Sequence, residues 1–349
     1  MAFVNRAGGQ PTELLPTSPA PQAQPVTPGK ERAVWRDRWR RAARFIGTPL
    51  LTVLVASFAV FVGLTVTSGD PVASLLPPRA TDAQRAALRA ELGLDQSILV
   101  RYWNWLSDSI HGDFGLSTVY RLPVSELIGA RLGTTLFLVV YAAILVLVFG
   151  LITGVAATVY RRLRSVSIIL NGTLIAIPVF VAAFLLIAVF AVNLGWFPTS
   201  GTGEGFIDQL WHMTLPAVAL SLGWGAYLSQ LTRTSLEDEQ RGEHVAAARG
   251  RGVPSRTVFR RHVVRNAAGP VITVAGTIVA FLITGAVVVE ATFGIDGVGT
   301  FLVKSVASKD TNVVLAINAL LVLLFVLTTT IVEACQRLLD PRVRDGGAR

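Results

Sequence analysis

The side chains able to do chemistry in this chain are sparse, and their spacing excludes more than it offers. Four histidines, His111, His212, His244 and His262, are scattered, with no HExxH or similar ligand pattern. Cys335 is the single cysteine, which rules out an internal disulfide and a Cys-based metal site. No GxSxG or paired-Cys pattern occurs. The nearest approach to a phosphate-cradling GxxxxGK[ST] loop runs from Gly299 to Lys304-Ser305, and Val303 stands where the second glycine is needed. No catalytic residue, metal site or cofactor is therefore expected in this chain. A membrane-embedded enzyme acting on lipid or peptide, the alternative class, would need a catalytic dyad near the membrane plane, and none is readable.

One polar stretch is dense enough to matter. It runs from Leu236 to Pro270 between two apolar runs of membrane length. Glu243-His244-Val245-Ala246-Ala247-Ala248-Arg249 has the helix propensity of three alanines and a thin surface that lets a partner come close. Gly252 permits a turn with positive φ, and Pro254 can open the next helix. Glu237 precedes Arg241 by four residues, a helix pair worth about 0.3 kcal/mol. Arg256, Arg260 and Arg261 line the helix that follows. Ser235 either caps a new helix or lies in one continuing from the preceding span. The stretch is a docking element or a solvated basic loop, and on pattern alone the two readings are equal.

The elements that hold this stretch are membrane elements. The chain has 349 residues, 52% hydrophobic and 15% charged, against about 25% charged in a soluble domain. The apolar excess comes in blocks. Six approach the roughly 20 residues a span requires: 46–67, 134–159, 166–192, 213–231, 270–291 and 313–335. The fourth is the least apolar, with Pro216, Gly223 and Gly225 inside it. Most of the 31 Lys and Arg fall on the side of the N-terminus, and the loop of Arg161, Arg162 and Arg164 marks it most clearly. The positive-inside rule then puts both termini in the cytoplasm. The same rule accounts for the net charge of +9, so nucleic acid is not an expected partner.

The expected fold class is all-α: a polytopic membrane protein with six transmembrane helices. Residues 1–29 read as a disordered Pro-rich cytoplasmic tail. Residues 30–45 read as a basic interfacial segment in which Trp35 and Trp39 meet membrane lipid. Residues 68–133 form an outer helical cap between the first two spans. There Thr81-Asp82-Ala83-Gln84 is a capping box, Gly93 a helix stop, and a second helix follows Asp95. Leu99, Tyr102, Trp103, Leu106 and Ile110 share one face of it, more plausibly for packing than for binding. Residues 134–335 form the core, including the polar loop 233–269, and 336–349 are a cytoplasmic tail. Ionisable residues inside the spans are nearly absent apart from Glu290 and Glu333, which argues against proton coupling and for an external energy source. Asn171, Asn193 and Asn318, with Glu290, are candidates to line a pathway, and the asparagines are equally suited to interhelical hydrogen bonds.

The polar loop resembles the cytoplasmic EAA loop of ABC-importer permeases, and residues 215–270 are similar to the B-type membrane subunit of dipeptide/oligopeptide importers. The matching positions are Glu243, Ala246, Ala247, Ala248 and Gly252, then Arg260, His262, Arg265, Asn266 and Pro270. Beyond the loop, Asp70-Pro71, Leu92-Gly93-Leu94-Asp95-Gln96, Gly112-Asp113-Phe114-Gly115 and Arg131-Leu132 with Thr134-Thr135-Leu136 look familial. So do Glu290, Phe293, Gly297, Gly299 and the ending Leu339-Asp340-Pro341-Arg342. Two positions depart from the pattern: Ala246 replaces the opening Glu of the EAA motif, and Ile295-Asp296 replaces a frequent Trp-Pro. The resemblance implies a permease of a prokaryotic inner membrane, without its own ATP site, that forms half of a peptide pathway. It implies a homologous C-type permease as partner, two cytoplasmic ABC ATPases that bind ATP and Mg, and an extracytoplasmic peptide-binding protein. Glu243, Ala246, Ala247, Ala248, Gly252 and Arg260 would receive the ATPase. Nickel or glutathione importers of the same family are the alternative.

Overall fold

Lipid offers no hydrogen bonds, so apolar runs of this length satisfy their backbone by coiling. The structure, a computed structural model, describes residues 28–67, 80–91 and 93–339. Among these every regular element is helical, and a lone bridge joins Leu116 to Pro123. Two compact units are distinguished, Met1–Gly47 and Thr48–Arg349. Of the expected tail 1–29, residues 1–27 lie outside the described residues, as do Asp70-Pro71 and, at the other terminus, 340–349.

Helix α1 (Pro28–Thr67) takes in the backbone of the basic segment and the first span. Two cap helices follow, α2 (Asp82–Glu91) and α3 (Ile98–Ile110). The Thr81–Gln84 capping box closes reciprocally, with the Thr81 N–H donating to Gln84 Oε1 at 2.9 Å and the Gln84 N–H to Thr81 Oγ1 at 3.3 Å. Gly93 ends α2 at φ 61°. Helix α4 (Val124–Val159) begins ten residues before the expected second span, inside the segment assigned to the cap. Helices α5 (Arg161–Ala176) and α6 (Val179–Leu186) follow, and α6 continues as a π-helical stretch, Ile187–Asn193. Next come α7 (Gly205–Gln240), α8 (Glu243–Gly250) and α9 (Ser255–Val258). A π-helical turn, Phe259–Val264, joins α9 to α10 (Arg265–Phe293). The chain ends on α11 (Val298–Ala307) and α12 (Thr311–Leu339).

The structure revises one expectation about the spans and bears on a second. The third span was read as one uninterrupted segment, 166–192. It is two helices bent by 102°. Pro178 has no N–H and its ring crowds the preceding residue, so Ile177 leaves the helix with ψ 120°. The second expectation is the count of six, which length and apolarity alone do not confirm. Four described helical stretches are long and apolar enough to cross a membrane: Gly47–Val66, Val124–Val159, Ser255–Phe293 and Thr311–Ala334. The bent pair would make a fifth. The expected fourth span lies within α7, which does not reach that apolarity. α7 is instead enclosed by other helices, packed against α4, α5, α6 and α10, so it can carry buried Ser221, Ser229, Thr232 and Arg233.

Between apolar helices in lipid, association rests on close van der Waals contact rather than on water exclusion. The α4–α7 pair is the most extensive, and Gly150 and Gly154, spaced as GxxxG, allow it. A Cβ on Gly154 would stand 2.7 Å from the Ser229 carbonyl oxygen and from Thr232 Cβ. Leu138, Leu220, Ile278, Leu282 and Phe293 fill the core between α4, α7 and α10.

Candidate functional site

The polar loop folds as a bracket of short helices beneath the bundle. α7 continues past the apolar core to Gln240, so Ser235 lies inside a helix and does not cap a new one. After a turn at Arg241 and Gly242, α8 lays Val245 and Ala248 against Leu236, Val258, Val263 and Ala267, with Val155 of α4 alongside. Glu243, Ala246 and Ala247 face outward, as do Gly252 and Arg260. All five are exposed, while Ala248 belongs to the small core beneath α8. Gly252 ends α8 at φ 75°. Its N–H donates to the Arg249 carbonyl at 2.9 Å and the Val253 N–H to the Ala248 carbonyl at 3.2 Å. That is the Schellman pattern, with Val253 packed against the small core to which Ala248 belongs.

Three elements hold this bracket. Glu237 does not pair with Arg241; it takes Arg164 of α5 at 2.9 Å and Arg233 of α7 at 3.0 Å. His244, on α8, places Nε2 3.3 Å from Glu239 Oε2 of α7 and 3.2 Å from Asn266 Nδ2 of α10. A neutral ring with Nε2 free accepts from the Asn266 amide, and a protonated ring pairs with Glu239. Sequence reading missed Arg164, Glu239 and His244. Arg164 stands 73 positions from Glu237, and the only signal for His244 was its presence in a helix already marked for docking.

The four pathway candidates fall in different environments. Asn171 is buried, donating to Ser167 at 3.1 Å and to Ser229 of α7 at 3.0 Å, and Thr153 of α4 donates to the same Ser229 oxygen at 2.8 Å. Ser229 thereby ties α4, α5 and α7 together. Asn193 is exposed at the end of the π-helical stretch. Asn318 is half-buried and donates back to the Val314 carbonyl at 2.7 Å. Glu290 is fully buried. Its Oε2 accepts the N–H groups of Gly299 at 2.7 Å and Thr300 at 3.2 Å, while Thr135 of α4 accepts that of Val298 at 2.9 Å. The N-cap of α11 is Gly297, which has no side chain to offer, so neighbouring helices satisfy its first donors.

At the same end Arg131 donates to Asp296 at 3.0 Å and lies over the Phe301 ring at 4.4 Å. The Ile295-Asp296 departure therefore brings its own partner for Arg131. Asp310, fully buried, accepts from Ser117, Thr118 and Val119 and fastens the close of the cap to the turn before α12. No group of three or more His, Cys, Asp or Glu is placed to hold a metal among the described residues.

Residues 146–345 match the family described as binding-protein-dependent transport system inner membrane component. The glutathione transport system permease protein GsiC of Escherichia coli (strain K12) is 36% identical over 298 residues, 84% of this chain and 95% of that one. GsiC of Salmonella typhi is 36% identical over 296 residues, with the same coverage. Among solved structures, an inward-facing MetNI methionine ABC transporter superposes with a TM-score of 0.50 at 17% identity, covering 61% of this chain and 96% of that one. An amino acid ABC transporter with histidines gives 0.51 at 16%, covering 61% and 94%. These two speak for the fold.

Proposed function

Because the chain belongs to the binding-protein-dependent transport family of inner-membrane components, and so is a permease subunit of an ABC importer, we propose that α8 is where ATP-driven work enters it. The observation that carries this is the split face of α8: Val245 and Ala248 are rooted in the molecule, while Ala246 and Ala247 leave a thin outward surface. Two cytoplasmic ATPases that bind ATP and Mg would each grip one such helix, this chain's and that of a C-type permease. Held to α7 by His244 beside Glu239 and to α10 by His244 beside Asn266, α8 would pass a displacement to both helices and switch the bundle between two states. An extracytoplasmic binding protein would deliver substrate to the other face.

The substrate class we propose is short peptides. Glutathione is the second reading, favoured by the permeases named for it that match across 84% of the chain. Ala247→Trp and Gly252→Asp test the role of α8 in the reconstituted importer. Both variants are expected to insert and to lose substrate-stimulated ATP hydrolysis together with uptake. Unchanged peptide uptake would remove α8 from the mechanism.

A further inference from the structure

Helix α3 carries more apolar surface than the chain covers. Tyr102, Trp105 and Leu106 turn toward α1 and join Phe58, Phe61 and Leu315. Leu99, Trp103 and Ile110 continue the same apolar arc at helical spacing, yet stand 67%, 68% and 76% exposed. Asn104, Ser107 and Asp108 occupy the opposite side and are also exposed. The helix is amphipathic, and only half of its apolar arc is used.

The depth at which α3 meets α1 decides what covers the other half. The Tyr102 hydroxyl donates to the Leu54 carbonyl at 3.1 Å and shares a 2.8 Å hydrogen bond with Ser57. The apolar stretch of α1 is Gly47–Val66, 20 residues. At about 1.5 Å per residue this just matches a hydrocarbon core of about 30 Å, so all of it is needed to span. Leu54 and Ser57 then lie about 10 to 15 Å from one end and about 14 to 18 Å from the other. A helix whose tyrosine reaches that depth cannot stand clear of the bilayer. The stretch of α1 beside it is only 11% buried, with Leu50, Leu51 and Val55 open, so the uncovered row of α3 continues a lipid-facing surface.

We propose that α3 is sunk in the bilayer on the Val66 side, with Leu99, Trp103 and Ile110 against lipid acyl chains and Asn104, Ser107 and Asp108 turned toward headgroups and water. The outer cap is thereby a membrane-immersed arm and not a domain standing in solvent. This rests on α1 crossing the membrane and not on the role of α8 or on what is imported, so a failure of the uptake experiment leaves it standing.

Spin labels read the environment directly. In a Cys335→Ser background, Leu99→Cys, Trp103→Cys and Ile110→Cys are compared with Asn104→Cys and Asp108→Cys, using the full chain in phosphatidylethanolamine/phosphatidylglycerol vesicles. Power saturation with oxygen and with a water-soluble nickel chelate is measured at each site. The first three sites are expected to favour oxygen over the chelate severalfold, and the last two to favour the chelate. Chelate access at the apolar row equal to that at Asn104 would show water there and overturn the proposal. Exclusion of both reagents would show a protein cover and overturn it equally. Should Trp103→Cys fail to insert, Leu99→Cys and Ile110→Cys give the same reading.

Discussion

Asp310 shows how much one side chain can hold. Among the described residues its carboxylate forms no ion pair; it is met by a hydroxyl and two backbone N–H groups from the 117–119 loop. Removing it strands the buried Ser117 hydroxyl and two half-buried amides, which costs about 1–3 kcal/mol. Asp310→Ala is expected to lower the unfolding midpoint of the purified chain clearly, while Asp310→Asn, which keeps one acceptor oxygen, loses less. Equal midpoints for Asp310→Ala and the parent would show that the loop is held elsewhere. Legibility at this scale follows sequence distance. The Thr81–Gln84 box and the Gly93 and Gly252 turns were readable, because each is settled by neighbours within a few positions. Glu237 was given to Arg241 by the same local rule, and Arg164, brought in by a different helix, displaced that partner. Asp310 drew no notice at all, since nothing nearby in the chain shows that it is buried.

Between helices the governing quantity is distance of approach. Gly150 and Gly154 bring α4 against α7 so closely that the Ser229 carbonyl sits where a side chain would go. Gly154→Leu is expected to push the pair apart, disturb the Thr153–Ser229–Asn171 hydrogen bonds and leave the chain prone to degradation in the membrane. Gly129→Leu on the same helix, with open space around it, is the control and should accumulate normally. Similar amounts of the two variants would deny the close contact its importance. Helix existence was legible from hydropathy, but straightness was not. The run from 166 to 192 was read as continuous with Pro178 unremarked, although proline's missing N–H is the reason the run breaks there. Likewise α7 looked like the weakest span because it is enclosed: a helix surrounded by protein needs less apolar surface than one facing lipid.

At the scale of the whole molecule, an inner-membrane ABC permease must present one end to its motor and the other to its substrate supply. α4 joins these ends: Val124 packs near Phe301 and Val313, and Val155 near Val245. We propose, from the distribution of Lys and Arg, that the α8 end lies in the cytoplasm. A fluorescent protein fused after Arg349 is expected to mature, and alkaline phosphatase inserted in the Gly112–Gly115 turn to be active. The reverse pattern would invert the topology and detach α8 from any cytoplasmic ATPase. The class of the protein was legible because several separated motifs fall in the right order; its cargo was not, because few polar side chains of the core point to a particular ligand.

The borrowed caps of α11 carry a consequence for biogenesis. A ten-residue helix whose opening amides depend on Thr135 and Glu290 has no stable form of its own. Synthesis from the N-terminus releases Thr135 first, Glu290 next and Val298–Thr300 last, so both acceptors are already made when the amides emerge. A circular permutant beginning at Gly297 would reverse that order and expose the amides to lipid before their acceptors existed. Vectorial translation is thus matched to the wiring of the finished bundle.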